Sequence, residues 1–186
     1  MATLADVLDP TGRTSARAAD ATLAPRPADL SGRRIGLLEN TKHNAALLLE
    51  ELAGRLEREH GAVAVLRRTK TAFALPMPDE LREEFLAECD VVLVGVGDCG
   101  SCSASAVAAG IAFERSGVPA AVICSDAFTV PASSMAAVQG APDYAFLTTA
   151  HPVAILGTEA VAERADQLLP GVLATVTDRA GHGRPS

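Results

Sequence analysis

Tryptophan is absent and aromatic residues make up only 3% of the 186 residues, so a core must be built from Ala, Val, Leu and Ile within an apolar fraction of 48%. Positive charge is also scarce, with a formal net charge of −7. Phosphate backbones are bound by clustered Lys and Arg, so nucleic acid is not expected as a partner. The short Arg33-Arg34 and Arg67-Arg68 pairs are too small to reverse that. Lysine is nearly missing: Lys42 and Lys70 stand against fourteen arginines. Either two happened to remain under a coding bias, or these two hold a specific task. No apolar run approaches the roughly 20 residues that cross a bilayer, so no membrane partner is expected. The opening Met1-Ala2-Thr3-Leu4-Ala5-Asp6 has neither a basic nor an apolar stretch and does not read as a secretory signal. The expectation is a cytoplasmic protein.

Several chemical signatures are missing as well. Neither GxGxxG nor GxxxxGK with a following Ser or Thr occurs at a strand–helix junction. Gly95-Val96-Gly97 starts a glycine pattern that Asp98-Cys99-Gly100 does not continue. A nucleotide cofactor is therefore not indicated. The GxSxG elbow of Ser hydrolases is also lacking. A closed zinc site needs a second pair of Cys or His ligands, and only Cys124 and His151 could be brought in by the fold. No metal is expected, and no cofactor beyond an external thiol reductant.

What is present is Cys99-Gly100-Ser101-Cys102, directly after the apolar run Val91–Val96 and before a small-residue helical segment, Ser103–Arg115. A strand turning into a helix at this point sets Cys99 among unpaired backbone N–H groups at the positive end of a helix dipole. That setting favours the thiolate. Cys102, one turn on, can close a disulfide with it. In a reducing compartment a CxxC is more often redox-active, catalytic or metal-binding than structural. The bland alternative is a pair of small core residues. Asp98 either orients a partner group or caps the helix. Gly100 fits close backbone approach. Ser101, Ser103 and Ser105 either bind an anion or pack the helix closely.

Apolar segments alternate with helical ones. Strands are expected at Arg34–Glu39, Ala62–Leu66, Asp90–Val96, Ala120–Cys124 and Tyr144–Thr148. Helices are expected from Ala45 for about sixteen residues, at Asp79–Ala87, Gly100–Arg115 and Ser133–Gln139, and from Thr158 to Leu169. Continuous apolar strands alternating with helices predict an α/β three-layer sandwich around a mostly parallel sheet of about five strands. Residues 1–32 read as an extended arm, either wrapping a neighbouring subunit or partly disordered, 33–177 as a single α/β domain, and 178–186 as a flexible tail. In such sheets ligands bind beyond the carboxyl ends of the strands. That rule gathers Asn40, Lys42 and His43; Thr69 and Lys70; Asp98, Cys99 and Cys102; Cys124, Ser125 and Asp126; and Thr148, Thr149 and His151. Asn40, Lys42, Lys70, Gly100, Ser101, Ser103 and Asp126 are the candidate substrate-binding residues. His151, before Pro152, is a candidate general acid or base. Cys89, before the third strand, falls at the opposite edge and is expected to be inert.

The stretch Asp90-Val91-Val92-Leu93-Val94-Gly95-Val96-Gly97-Asp98-Cys99-Gly100-Ser101-Cys102-Ser103 resembles the signature of the UGSC family, whose first motif position is selenocysteine in some members and cysteine in others. Leu8-Asp9-Pro10-Thr11, Gly36–Lys42, Glu114–Pro119 and His151-Pro152 fit that family too. More distantly, the strand, Cys-x-x-Cys, helix and Gly-Val-Pro pattern is similar to the selenoprotein B subunit of glycine reductase and its proline reductase relative. In those enzymes the first Sec or Cys attacks a carbon bearing a leaving nitrogen. They carry a further cysteine where this chain has Ser105. The resemblance implies that Cys99 occupies the selenocysteine position.

The leading expectation is a thiol-dependent enzyme of a small-molecule substrate. Cys99 attacks an electrophilic centre, Cys102 resolves the adduct, and Lys42, Lys70 and the helix N-terminus hold substrate negative charge. One alternative is a cysteine-dependent lyase, isomerase or carbon–sulfur bond-forming enzyme without net redox change. Another is a non-catalytic thiol switch or partner subunit. A homo-oligomer, or a heteromer with a related subunit, is expected.

Overall fold

The computed structural model describes residues 23–178. The elements, in chain order, are β1 (Arg34–Glu39), α1 (Ala45–His60), β2 (Val63–Thr69), α2 (Asp79–Glu88), β3 (Val91–Gly97), α3 (Gly100–Arg115), β4 (Ala120–Ser125), a short 3-10 turn (Asp126–Phe128), α4 (Thr129–Val138), β5 (Leu147–Thr149) and α5 (Thr158–Val176). The five strands form one all-parallel sheet in the order β2-β1-β3-β4-β5. This is the α/β architecture that the alternation predicts.

Successive strand residues face opposite layers. Ile35 and Leu37, Val91 and Leu93, and Ala121 and Ile123 join a core with α1 and α5. Leu38, Val92, Val94, Val122 and Cys124 join a second core with α2, α3 and α4. Helix α1 buries Ala45, Leu48, Leu49, Leu52 and Leu56, the helical stripe read from its sequence. Aromatic rings enter the second core as a tilted pair, Phe85 and Phe113, with centroids 5.4 Å apart.

Helix α3 lies very close to the sheet because its inner face is made of small residues. A Cβ at Gly110 would fall 2.2 Å from Val122 Cγ2 and 2.4 Å from Tyr144 Oη, and one at Gly97 would fall 2.8 Å from the Ser103 backbone. The close approach presses the start of α3, and with it Cys99, onto the end of β3.

Four boundaries differ from the sequence expectation by three residues or more. Strand β2 extends to Thr69 but is an edge strand, largely exposed; its Arg67 and Arg68 pair with Glu50 and Glu84. Helix α4 begins at Thr129 rather than Ser133, because Pro131 sits in the first turn, where no intrahelical acceptor awaits its missing N–H. Strand β5 begins at Leu147, and Tyr144 instead packs as a buried anchor with its hydroxyl on the Ala120 carbonyl. Helix α5 continues through Pro170 to Val176; burial of Val172, Leu173 and Val176 offsets the hydrogen bond lost at the proline.

Of the expected N-terminal arm, residues 23–32 are described, and residues 1–22, including Leu8-Asp9-Pro10-Thr11, lie outside the described residues. The part described docks on its own chain. Arg26 makes a two-pronged ion pair with buried Glu114, whose carboxylate also accepts the N–H groups of Ala24 and Ala120. The tail beyond Asp178 likewise lies outside the described residues.

Replacing Gly110 with Ala forces α3 off the sheet. The expected loss is about 1–3 kcal/mol, read as a lower midpoint in urea denaturation.

Candidate active site

The order β2-β1-β3-β4-β5 places its switch point between β1 and β3. The chain leaves β1 toward the α1 layer and β3 toward the α3 layer, so a crevice opens beyond their carboxyl ends. Asn40 closes the floor of that crevice. It is buried, and its side-chain amide donates to the Val96 carbonyl at 2.9 Å and accepts the Val96 N–H at 3.1 Å. These two bonds tie the end of β1 to the strand carrying the cysteines.

Cys99 is the N-cap of α3, in extended conformation, and its Sγ accepts the Cys102 N–H at 3.3 Å. An ionised sulfur accepts such a bond more strongly than a neutral one. The Cys102 side chain is buried, and its sulfur lies against that of Cys99, with Cα atoms 5.3 Å apart, inside the range that a disulfide spans. Gly100 has open space where a Cβ would stand, and exposed Ser101 sets its hydroxyl 3.7 Å from Cys99 Sγ. Cys99 itself is half-buried, whereas Cys102 is fully buried.

Asp98, immediately before Cys99, is the hub of the site. Its buried carboxylate takes the N–H groups of Val153 and Ala154 on one oxygen, at 3.1 and 3.0 Å, and His151 Nδ1 on the other at 2.9 Å. Burial pushes this carboxyl up, but the Ser125 hydroxyl, the two loop amides and His151 outweigh it and hold it below the usual aspartate value. An ionised carboxylate only accepts, so Nδ1 carries the ring proton. In the neutral form of that ring Nε2 is the acceptor, and the His151 side chain is part-exposed. Ser125 Oγ touches Nδ1 at 3.2 Å, Phe128 meets the ring edge-on, and Asp126 accepts the His151 N–H at 3.0 Å. The loop after His151 is held from the β1 side as well, by His43 on the Ala154 carbonyl and Asn44 on those of Val153 and Leu156.

The remaining candidate residues divide by exposure. Ser103 is buried, with its hydroxyl on the Gly97 and Cys99 carbonyls, and so braces the helix start. Lys42 lies over the Phe73 ring, 5.0 Å from its centroid. Lys70 is 2% exposed and donates to the Leu75 carbonyl and to Ser105 Oγ. Cys124 is buried beneath α3, where burial pushes its thiol up to about 12, against a weaker opposing hydrogen bond from Ser103. Cys89 sits before β3 at the amino edge, and burial likewise pushes its thiol to about 12. Among the described residues, no three His, Cys, Asp or Glu side chains gather as a metal-binding group.

Ser125 follows its strand in the way the carboxyl-end rule anticipates, but its contact with His151 was not legible. Asn44 and Phe128 were missed altogether. Asn44 carries a signal, since a left-handed N-cap (φ 64°) favours Asn. Phe128 carries none. Thr41 is also left-handed (φ 65°), an uncommon state for a β-branched residue. Its N–H donates to the Glu39 carboxylate and its hydroxyl to the Asn40 carbonyl.

The folded Asp98 stays ionised to lower pH than a free aspartate. The stability it confers is therefore present above about pH 4 and lost as pH falls below that value. Asp98→Asn is expected to cost about 2 kcal/mol at pH 7 and to flatten the acid limb of stability, read as the denaturation midpoint against pH.

Compared with known families, residues 6–178 match the family model described as UGSC family. No curated protein matches the chain.

Proposed function

The chain belongs to the UGSC family, and on that premise we propose that it is a thiol-dependent enzyme in which Cys99 is the nucleophile and Cys102 the resolving thiol. The observation that carries this reading is the pairing itself. The sulfur of half-buried Cys99 accepts a helix N-terminal N–H, and buried Cys102 sits one turn on with its Cα 5.3 Å away. A packing role would not require the first of the two cysteines to be left part-exposed at a strand end.

The reaction balances as follows. Cys99 thiolate attacks an electrophilic centre R–X and forms an S–R bond, while X departs with its electron pair and takes a proton. Cys102 thiolate then attacks Cys99 sulfur, so that an S–S bond forms, the S–R bond breaks, and R leaves with its electron pair and a proton as R–H. The substrate is reduced by two electrons and the dithiol is oxidised; an external thiol restores it. The Asp98–His151 dyad supports the proton transfers. The 5.3 Å separation of the two Cα atoms supports the second step.

In the Cys102→Ser protein the adduct cannot be resolved, so intact-mass screening against metabolite extracts is expected to show added mass on Cys99. Cys99→Ser is expected to show neither adduct nor turnover, and an active Cys99→Ser variant overturns the proposal. Free thiols counted across one turnover should fall by two. An adduct that forms and releases with no thiol lost would instead mark a lyase or transferase using the same nucleophile.

A further inference from the structure

The protein has two lysines, Lys42 and Lys70, and both hold the same loop. Residues 71–78 follow β2 at the carboxyl edge of the sheet and read Thr-Ala-Phe-Ala-Leu-Pro-Met-Pro, without a single charge. Phe73 and Leu75 are both exposed, at 41% and 56%. Lys42, from the β1–α1 loop, places its ammonium over the Phe73 ring. Lys70, at the end of β2, donates to the Leu75 carbonyl, which Ser105 Oγ also binds, at 2.7 Å.

Among the described residues, Arg26, Arg34, Arg55, Arg67, Arg68 and Arg82 are each ion-paired, whereas neither lysine is. For Lys70 this is costly. An ammonium has three donors, its side chain is buried, and its two bonds go to uncharged oxygens. Burial lowers its pKa, as it must for a cation without a counter-charge.

Lys70 also stands on the helix face that carries the nucleophile. Ser105 and Ser101 are four residues apart on α3 and therefore share a face. Ser101 touches Cys99 Sγ and Ser105 touches Lys70 Nζ. One helix face thus runs from the nucleophile to the uncompensated ammonium, with Gly100 open at its rim.

Building on the reading of Cys99 as nucleophile, we infer that its substrate is a small organic anion of the carboxylate class with an apolar portion, recognised by Lys42, Lys70 and the 71–78 loop. In the structure the Phe73 ring and the Leu75 carbonyl occupy the two ammonium groups. The substrate's negative charge takes their place, and Phe73 and Leu75 cover its apolar part. The loop is therefore both the resting partner of the lysines and the cover of the occupied site.

Iodoacetate and iodoacetamide test this directly. Both offer Cys99 the same carbon and the same iodide leaving group, and only iodoacetate carries a carboxylate. Their alkylation rates at Cys99 are measured in the reduced full-length protein by peptide-resolved mass spectrometry. Lys42→Gln and Lys70→Gln are each expected to lower the iodoacetate-to-iodoacetamide rate ratio by about tenfold, with the iodoacetamide rate little changed. Added salt should lower the ratio in the parent but not in the double variant. Lys42→Gln, at a half-buried surface position, keeps the test decisive if Lys70→Gln does not fold. A ratio unchanged in the variants, with Cys99 still alkylated by both reagents, overturns the lysine assignment and leaves the nucleophile standing. If neither reagent modifies Cys99, the nucleophile reading fails and the substrate assignment falls with it.

Discussion

A buried carboxylate, that of Asp98, organises the site. It sits between the strand that delivers Cys99 and the loop that delivers His151, and it accepts hydrogen from three groups of that loop. A buried ion is tolerated only when its lone pairs are satisfied. The loop from His151 to Ala154 must therefore keep its N–H groups turned inward for the carboxylate to remain ionised. The same requirement orients the imidazole and places its proton on Nδ1. Geometry and charge state at this point are one constraint.

A second constraint lies in the contact between α3 and the sheet. With Gly97 and Gly110 on the close-approach line, and Ser103 and Ala106 on the inner face, the helix axis can come near the strands. Its first turn then meets the end of β3 without an intervening side chain. The Ser103 hydroxyl bonds back to the Gly97 and Cys99 carbonyls and secures that turn. The poverty of aromatic residues noted at the outset has its counterpart here: a helix of small residues leaves little room for rings, and the aromatic pair of the second core lies where α2 meets α3.

Much of the architecture was legible before any coordinates. The five strands, their parallel arrangement and the helix after the cysteine motif follow from apolar runs alternating with helical stripes. The two misplaced helix boundaries share a cause. Pro131 and Pro170 look like breaks in isolation, yet the first sits where its missing N–H is harmless and the second in a helix whose far end is buried. At the site, Asp98, Cys99, Cys102 and His151 were named from residue type and position. The division of labour among the rest was not. Nothing in the residue names distinguishes Ser101, open to solvent, from Ser103, sealed under the helix.

The sequence by itself determined the alternation of elements, the start of α3 at the cysteine motif and the gathering of polar residues at one edge. Each of these rests on local chemistry: side-chain periodicity, capping and the reach of neighbouring residues. Only the tertiary structure decided that Asp98 holds His151 and its loop across 53 to 56 positions of chain. It also decided that Asn40 stitches two strands together and that both lysines converge on one loop. Hydrogen bonds and burial depend on which distant segments meet, and that is settled when the sheet order forms.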